Sequence, residues 1–402
     1  MSKHPIVIIG GNMVGLTLAA LLAKNHFEVT VIESQKYDFS EHTLSARVSA
    51  IHLTSKNIFA HLGLWGTLQK EAAPLQEMTI WDHTQNAQLH FDSRDIQALQ
   101  MGWIVDNARI THALFDSLQN NPYVTFLCPA KPVHLTHQDN TISLTLDNNQ
   151  TIETSLLIGA DGAHSWVRDT MHIPLKTRDY FHKAIIAVIE SQHTHHHCAY
   201  QKFLKTGPVA LLPLQNPHHT ALVWSADHTA SDALMQQPLD EFNRSLTEAL
   251  DFKLGKLKAI TERKQFSLVM RHAKHYAARN CALVGDAAHT IHPLAGLGVN
   301  LGLLDAAVLT QTLVDARNKN KPIDDDRALQ QYARQRKSDN TDVMIAMRGL
   351  KELFEIDTPF FNVVRSSGVN FVNGCSLVKN GLMRVAAGQC DELPMFLQEN
   401  QG

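Results

Sequence analysis

The chain has 402 residues, 44% of them apolar and 19% charged, with a formal net charge of −3. That length supports a substantial core spread over two or three lobes of roughly 150 residues each, and the charge balance lacks the polybasic footprint that nucleic acid requires. Five scattered cysteines, Cys128, Cys198, Cys281, Cys375 and Cys390, have no CxxC spacing and read as reduced thiols of a cytosolic protein, not as a disulfide frame or a zinc site.

The apolar stretch from Ile6 to Ala23 has the look of a targeting segment, but its glycines sit at nucleotide-loop spacing and a second strand-like run follows at once, so it reads as part of the fold. No run of 18 apolar residues marks a membrane helix. The chain is therefore expected to be soluble and cytoplasmic, with room for contact at a membrane surface. Pro5 to Gly10 predicts a buried β-branched strand. Gly10, Gly11 and Gly15 make a turn, Met13 to Lys24 is helical in period, and Val29–Glu33 is a second strand ending in an acid 18 residues beyond Gly15. This is the βαβ start of a dinucleotide-binding fold, with Glu33 placed to bond a ribose hydroxyl. The middle glycine of the fingerprint is replaced by Asn12; Asn is expected there because it tolerates unusual backbone angles better than most residues.

Residues 76–104 alternate as short strands, Met78–Trp81 and Gln88–Phe91 among them. Asn107 to Leu118 reads as a helix and Val124 to Ile152 as further short strands and turns. Leu156 to Gly162 is another buried strand, ending in Asp161 and a glycine. Sheet-like patterning returns in Ala184–Glu190, Val209–Leu214 and Thr220–Ser225. Cys281 to Val284 is an apolar strand that leads into the acidic turn Gly285-Asp286, a loop containing Pro293, Gly296, Gly298, Val299 and Asn300, and an apolar helix from about Leu303; helical, charged text continues to the chain end. A carboxylate at the buried end of a strand needs a hydroxyl or N–H partner, and glycines before a helix let backbone N–H groups face negative charge. Two such loops, far apart in sequence, predict one long cofactor gripped at both ends.

The 24 histidines include His193, His195, His196 and His197 just before Cys198. Imidazole and thiolate are good metal ligands, but no acidic or cysteine partners stand at ligand spacing, so a solvated loop is the better expectation and no metal is assigned. His289 and His292 lie inside the acidic-turn motif, either shaping the loop or serving as a general base.

Three motifs thus stand in order: Gly10 to Gly15 with Glu33, Gly159-Ala160-Asp161-Gly162 through Ser165 to Arg168, and Gly285-Asp286 through Asn300. Together they resemble the flavoprotein aromatic hydroxylases of the para-hydroxybenzoate hydroxylase fold, the second matching the pattern GADGxxSxVR and the third GD followed by PxAGxGxN. Further matches, Arg47 to Ile51, Leu62 to Trp65, Gly207-Pro208 with Leu212-Pro213-Leu214, Leu222 to Trp224 and Val105 to Asn107, are similar to the ubiquinone-biosynthesis hydroxylase branch. The likeness runs from residue 5 to about 390. It implies an α/β architecture: a Rossmann-like FAD-binding domain of the glutathione-reductase type 2 (GR2) class over 1–75, 105–180 and 272–340, an interleaved mixed β-sheet substrate domain over 76–104 and 181–271, and C-terminal helices over 341–402.

The same resemblance implies FAD as cofactor, with Gly10, Gly11, Asn12 and Gly15 at the pyrophosphate, Glu33 at the adenosine ribose, Arg47 beside the flavin or its phosphates, and Asn107 in the site. Asp161 would brace the cofactor loop or cap its strand, and Arg168 would pair with a carboxylate in its own motif. Asp286 would accept from a ribityl hydroxyl, and Pro293, Gly296, Gly298, Val299 and Asn300 would meet the flavin ring. Leu297 stands where this branch usually has Gln. The implied reaction is ring hydroxylation of a polyprenylated phenol or quinone intermediate with NAD(P)H and O2, through a flavin C4a-hydroperoxide, the flavin being the reactive group. A prenyl tail would call for an apolar pocket open to lipid or to other ubiquinone-biosynthesis proteins, and Phe360, Phe361, Val363, Val364, Phe371 and Leu377 could form a docking face or an ordinary helix core. Two rivals stand beside this reading: a hydroxylase of a soluble aromatic acid, against which the aliphatic Leu211–Leu214 run weighs, and a non-catalytic scaffold in a biosynthetic complex. A flavin halogenase is disfavoured because the motif WxWxIP does not occur, and a plain NAD dehydrogenase because the acidic turn would have no role.

Overall fold

Ile6–Ile9 is the central strand of a six-stranded sheet in the computed structural model, which describes residues 5–39, 45–83, 88–138, 140–290 and 298–355 together with Pro394 and Phe396. Leu156–Gly159 lies parallel on one side of it and Val29–Ile32 on the other. Cys281–Leu283 continues the parallel set beyond Leu156–Gly159, and Val124–Leu127 continues it beyond Val29–Ile32. Helices cover these strands, which is why the three central ones are apolar at nearly every position instead of alternating.

The helix Met13–Lys24 is buried from Gly15 to Ala23. It packs between the sheet and the long helix Gly298–Asn318, so it carries no polar face over those two turns. Strand register sets where the motifs meet. Ile9 pairs with both Gly159 and Ile32, and Gly159 pairs with Leu283. The carboxyl ends of four adjacent parallel strands are therefore level, the place where open α/β sheets bind ligands.

A larger mixed sheet forms the second layer. In order it contains His289–Thr290, Lys264–Ala273, Leu175–Ser191, His219–Asp227, Gly207–Pro213, Cys198–Leu204, Glu77–Asp82 and Gln88–Asp92. One face buries Ile185, Ala187, Ile189, Leu222 and Trp224 with Phe242 and Leu246 from the helix Leu239–Ala249. The 17-residue strand Leu175–Ser191 and its partner Lys264–Ala273 run through the expected domain limits near 180 and 271, and Gly102–Asp106 runs through the one near 104. The two layers thus share continuous strands.

The histidine-rich segment joins Leu175–Ser191 to Cys198–Leu204, as a connection in the second sheet should. It is not simply solvated. His195 is 1% exposed, and its Nε2 lies 3.0 Å from the Leu214 carbonyl and 3.1 Å from that of Asn216. That imidazole pins the connection instead of facing water, a correction to the expectation of a solvated loop. Cys128, Cys198 and Cys281 are free thiols, while Cys375 and Cys390 lie outside the described residues. So do the apolar positions from Phe360 to Leu377. Among the described residues, no helix is long and apolar enough to cross a membrane.

Candidate functional site

The level strand ends put the three motifs side by side. Along the sheet edge stand Asp286 after Cys281–Leu283, Asp161 after Leu156–Gly159, Gly10 after Ile6–Ile9 and Glu33 after Val29–Ile32. All four residues line one cleft of about 770 Å³, toward the upper end of the range of small-molecule and cofactor sites. The cleft runs from Glu33 and Ala130–Pro132 at one end to Asp286, Thr290, Val299, Val48 and Ser49 at the other.

The first turn is shaped by close approach. Gly10 has φ +104°, and a Cβ there would meet the Ala160 carbonyl oxygen at 2.3 Å; a Cβ on Gly15 would meet the Gly10 carbonyl oxygen at 1.9 Å. Neither contact can be relieved by a side-chain rotation, because both partners are backbone. Asn12 differs from the sequence expectation. Its φ is −94° and ψ −173°, ordinary extended backbone, and its Oδ1 accepts from Met13 N at 2.7 Å as the N-cap of the helix Met13–Lys24. The substitution is explained by capping, which Asn does well, not by tolerance of a strained angle.

Glu33 accepts from Gly11 N at 2.7 Å and from Gln35 N at 2.8 Å, so its carboxylate is pinned at the mouth of the turn. Asn107 accepts from the Ser49 hydroxyl at 2.7 Å and lines the cleft. Arg47 is exposed just before the strand Val48–His52; its carbonyl accepts from Asn107 N at 3.0 Å, but it is not among the cleft walls.

Asp161 does two jobs. Its Oδ2 accepts from Val167 N at 3.1 Å, bracing the short helix Trp166–Thr170, while Oδ1 is buried with no partner among the described residues. Burial raises its carboxyl above the usual range. Arg168 pairs with Asp169 at 3.2 Å, one residue beyond the motif, and its Nη1 also donates to the carbonyls of Ala163 and Ala287, each at 3.2 Å. That side chain ties the second motif to the third.

Asp286 protrudes into the cleft and makes no hydrogen bond among the described residues. The protein around its base pushes its carboxyl up. Val299 is a cleft wall at the start of the helix Gly298–Asn318, but Asn300 faces elsewhere. It is 1% exposed, donates to the Ala50 carbonyl at 2.7 Å and accepts from His52 N at 3.2 Å, clipping this helix to the strand Val48–His52. Pro293, Gly296, Leu297 and His292 lie outside the described residues. His289 is 1% exposed, does not line the cleft, and its Nε2 sits 2.6 Å from Asp305. Of the two expectations for it, shaping the loop fits these contacts; a general base would need access to the cleft.

Three groups escaped the sequence reading. Asp305 is wholly buried and receives Gly285 N, His289 and Arg336. Its signal was available: a lone acid in the apolar run Leu303–Leu309 must have a partner. Trp166 and Phe266 are aromatic cleft walls, and nothing in the sequence distinguishes them from core residues.

These features fit a long, polar, phosphate-bearing cofactor. A tight turn at Gly10 and Gly11 opens onto a helix N-terminus, which suits an anion. Two acids and the buried Asp161 Oδ1 and Thr290 Oγ1, which have no partner among the described residues, offer hydrogen-bonding groups along the cleft.

Comparison with known proteins agrees. Residues 3–345 match the family described as FAD binding domain. The chain is 32% identical to the ubiquinone hydroxylase UbiL of Rhodospirillum rubrum, over 95% of this chain and 89% of that protein. It is 31% identical to the 3-demethoxyubiquinol 3-hydroxylase of Escherichia coli, over 96% and 100% respectively, and 31% identical to the zebrafish (Danio rerio) mitochondrial ubiquinone biosynthesis monooxygenase COQ6, over 95% and 89%. Among solved structures, p-nitrophenol 4-monooxygenase from Pseudomonas putida superposes with a TM-score of 0.79 at 16% identity, covering 97% of this chain and 99% of that one, a likeness of fold.

Proposed function

Because the chain belongs to the FAD-binding-domain family of flavin-dependent monooxygenases, we propose that it hydroxylates the aromatic ring of a polyprenylated phenol or quinone intermediate of ubiquinone biosynthesis. The observation that carries this reading is the near full-length identity to ubiquinone hydroxylases, joined to a cleft in which all three motifs meet. When bound, FAD accepts hydride from NAD(P)H and activates O2 for transfer of one oxygen atom to the ring.

The chain's own residues bind and orient. The N–H groups of Gly10, Gly11 and Met13 are taken by Ile32, Glu33 and Asn12, so the pyrophosphate would be held by the remaining N–H groups of the turn and the dipole of the helix Met13–Lys24. Glu33, already fixed by Gly11 N, accepts from the adenosine ribose. Asp286, which has no hydrogen-bond partner among the described residues, would accept from a ribityl hydroxyl. The N-terminus of the helix Gly298–Asn318, which reaches the cleft at Gly298 and Val299, would favour negative charge on a bound ring. We assign the cofactor unit to 1–75, 105–180 and 272–340 and the substrate sheet to 76–104 and 181–271.

Substrate binding falls to the second sheet. Phe266 is a cleft wall and pairs with Ala184. Alternation along the strands puts Ile186 and Val188, with Val223 and Ala221 opposite them, on that same face. Aliphatic side chains on this face suit a prenylated ring and would help keep water from the reacting centre.

Quinone profiling by mass spectrometry of a strain lacking the gene tests the assignment. An accumulated intermediate short of one hydroxyl supports it and reports the ring position; an unchanged quinone pool overturns it. A purified protein that neither retains nor binds FAD would instead favour the scaffold reading.

A further inference from the structure

The turn that carries Asp286 is gripped from behind by a side chain with no place among the cleft walls. Asp305, on the helix Gly298–Asn318, is 0% exposed. Its Oδ2 accepts from Gly285 N at 3.0 Å and from His289 Nε2 at 2.6 Å. Its Oδ1 accepts from Arg336 Nε at 2.7 Å and Asn340 Nδ2 at 3.3 Å. Arg336 is itself buried on the helix Asp326–Glu355, where it also reaches Asp339 and Asn340, each at 2.8 Å. The His289 ring stacks on Tyr276 with centroids 5.7 Å apart.

One carboxylate oxygen therefore holds both ends of the short segment Gly285–His289, while the other is locked by a buried guanidinium. Asp286 lies between the two held residues and is left facing the cleft. Charge balance with Arg336 alone would satisfy the burial of Asp305; it does not require contacts to Gly285 and His289 on the second oxygen. A hydrogen-bonding group at a binding site works only when held to within a fraction of an ångström.

We propose that Asp305 is a positioning residue for the cofactor, setting through the Gly285 N–H and the His289 ring where Asp286 presents its carboxylate. The inference rests on the reading of Asp286 as the ribityl partner.

Two measurements on the full chain test it together: the FAD dissociation constant from flavin fluorescence, and the melting temperature of the flavin-free form. Asp305→Asn weakens FAD binding by at least about tenfold, the worth of one hydrogen bond to a charged group. Asp305→Asn with Arg336→Gln removes both buried charges and recovers most of the melting temperature, yet leaves FAD binding weak. His289→Gln, which retains a donor for Asp305, stays within about threefold of the parent, whereas His289→Leu loses about tenfold. FAD affinity that simply follows melting temperature across the series, or equal effects of the two His289 substitutions, overturns the proposal. Asp286→Ala, which removes the acceptor, separates the role of Asp286 from that of Asp305. If it leaves FAD affinity unchanged, the ribityl assignment fails and the proposal with it; if it weakens binding while the Asp305 and His289 variants do not, the proposal alone fails.

Discussion

A Cβ placed on Gly10 would lie 2.3 Å from the carbonyl oxygen of Ala160, so the first and second motifs touch backbone to backbone across the strands Ile6–Ile9 and Leu156–Gly159. Gly10→Ala must push these strand ends apart or abandon a φ of +104°. We expect a loss of about 3 kcal/mol or more in stability, with FAD binding lost in parallel, measured by thermal denaturation and flavin titration.

Asn12 makes the contrasting case. Because its backbone is extended and its side chain caps the helix Met13–Lys24, restoring the glycine of the fingerprint should cost only a few tenths of a kcal/mol, while Asn12→Ala should cost about 1 kcal/mol. FAD affinity should be unchanged in Asn12→Gly. A glycine variant that binds FAD more than tenfold more tightly would show that the Asn side chain obstructs the pyrophosphate.

Asp286 is the residue whose removal should separate binding from folding. Its carboxylate makes no hydrogen bond among the described residues, and the protein around its base raises its proton affinity, so the fold does not depend on its charge. Asp286→Ala should keep or raise the melting temperature of the flavin-free protein and weaken FAD by roughly 10- to 100-fold, the range for a hydrogen bond to a charged group. Equal loss of both would mean that the acid is structural.

Much of this site was legible in the sequence for a simple reason. Glycine turns and strand-terminal acids are local signals, and level parallel strands bring them together without further information. Ile6–Ile9, Leu156–Gly159 and Cys281–Leu283 are each short apolar runs ending in a turn, so their common edge follows from the βαβ pattern. What stayed hidden was partnership. Asn300 sits in the cofactor motif yet spends its amide on Ala50 and His52, a contact across 250 residues that no local pattern encodes. His195 likewise looks like a surface histidine until the Leu214 and Asn216 carbonyls are placed beside it.

Acid stability should carry the mark of two buried imidazoles. Burial lowers His52 from 6.5 to about 4, and lowers His272, with help from nearby positive charge, to about 4 as well. Each stays neutral in the fold while its unfolded counterpart takes up a proton, so their contribution is present above pH 6.5 and is lost as pH falls toward 4. For His52 alone the loss is ~3 kcal/mol across that window. His52→Asn keeps a cap for Ser55 N, now bonded to the ring Nδ1 at 3.1 Å, but cannot titrate. Asp161 and Asp286, both raised by the surrounding protein, act in the opposite sense and are common to both proteins, so the difference isolates the imidazole. Urea unfolding at pH 7.5 and pH 5 should show the smaller drop for the variant; equal drops would mean that His52 is protonated in the fold.

Arg168 should matter to the second and third motifs at once, because one guanidinium joins them. It is 2% exposed, its Nε faces the largely exposed Asp169, and its Nη1 serves the carbonyls of Ala163 and Ala287. The ion pair, with its carboxylate in water, is worth little; the two carbonyl contacts are worth more, since their loss strands acceptors in the core. Arg168→Met, which keeps most of the apolar stem, should therefore cost about 2–4 kcal/mol. Asp169→Ala should cost under about 1 kcal/mol. Because Ala287 adjoins Asp286, the Met variant should also weaken FAD binding beyond what Asp169→Ala does. Arg168→Lys has a single ammonium that can replace Nη1 at one carbonyl but not bridge both in the same planar geometry, so it should fall between the two. If Asp169→Ala matches Arg168→Met in urea unfolding, the ion pair and not the bridge to Ala287 is what this arginine provides.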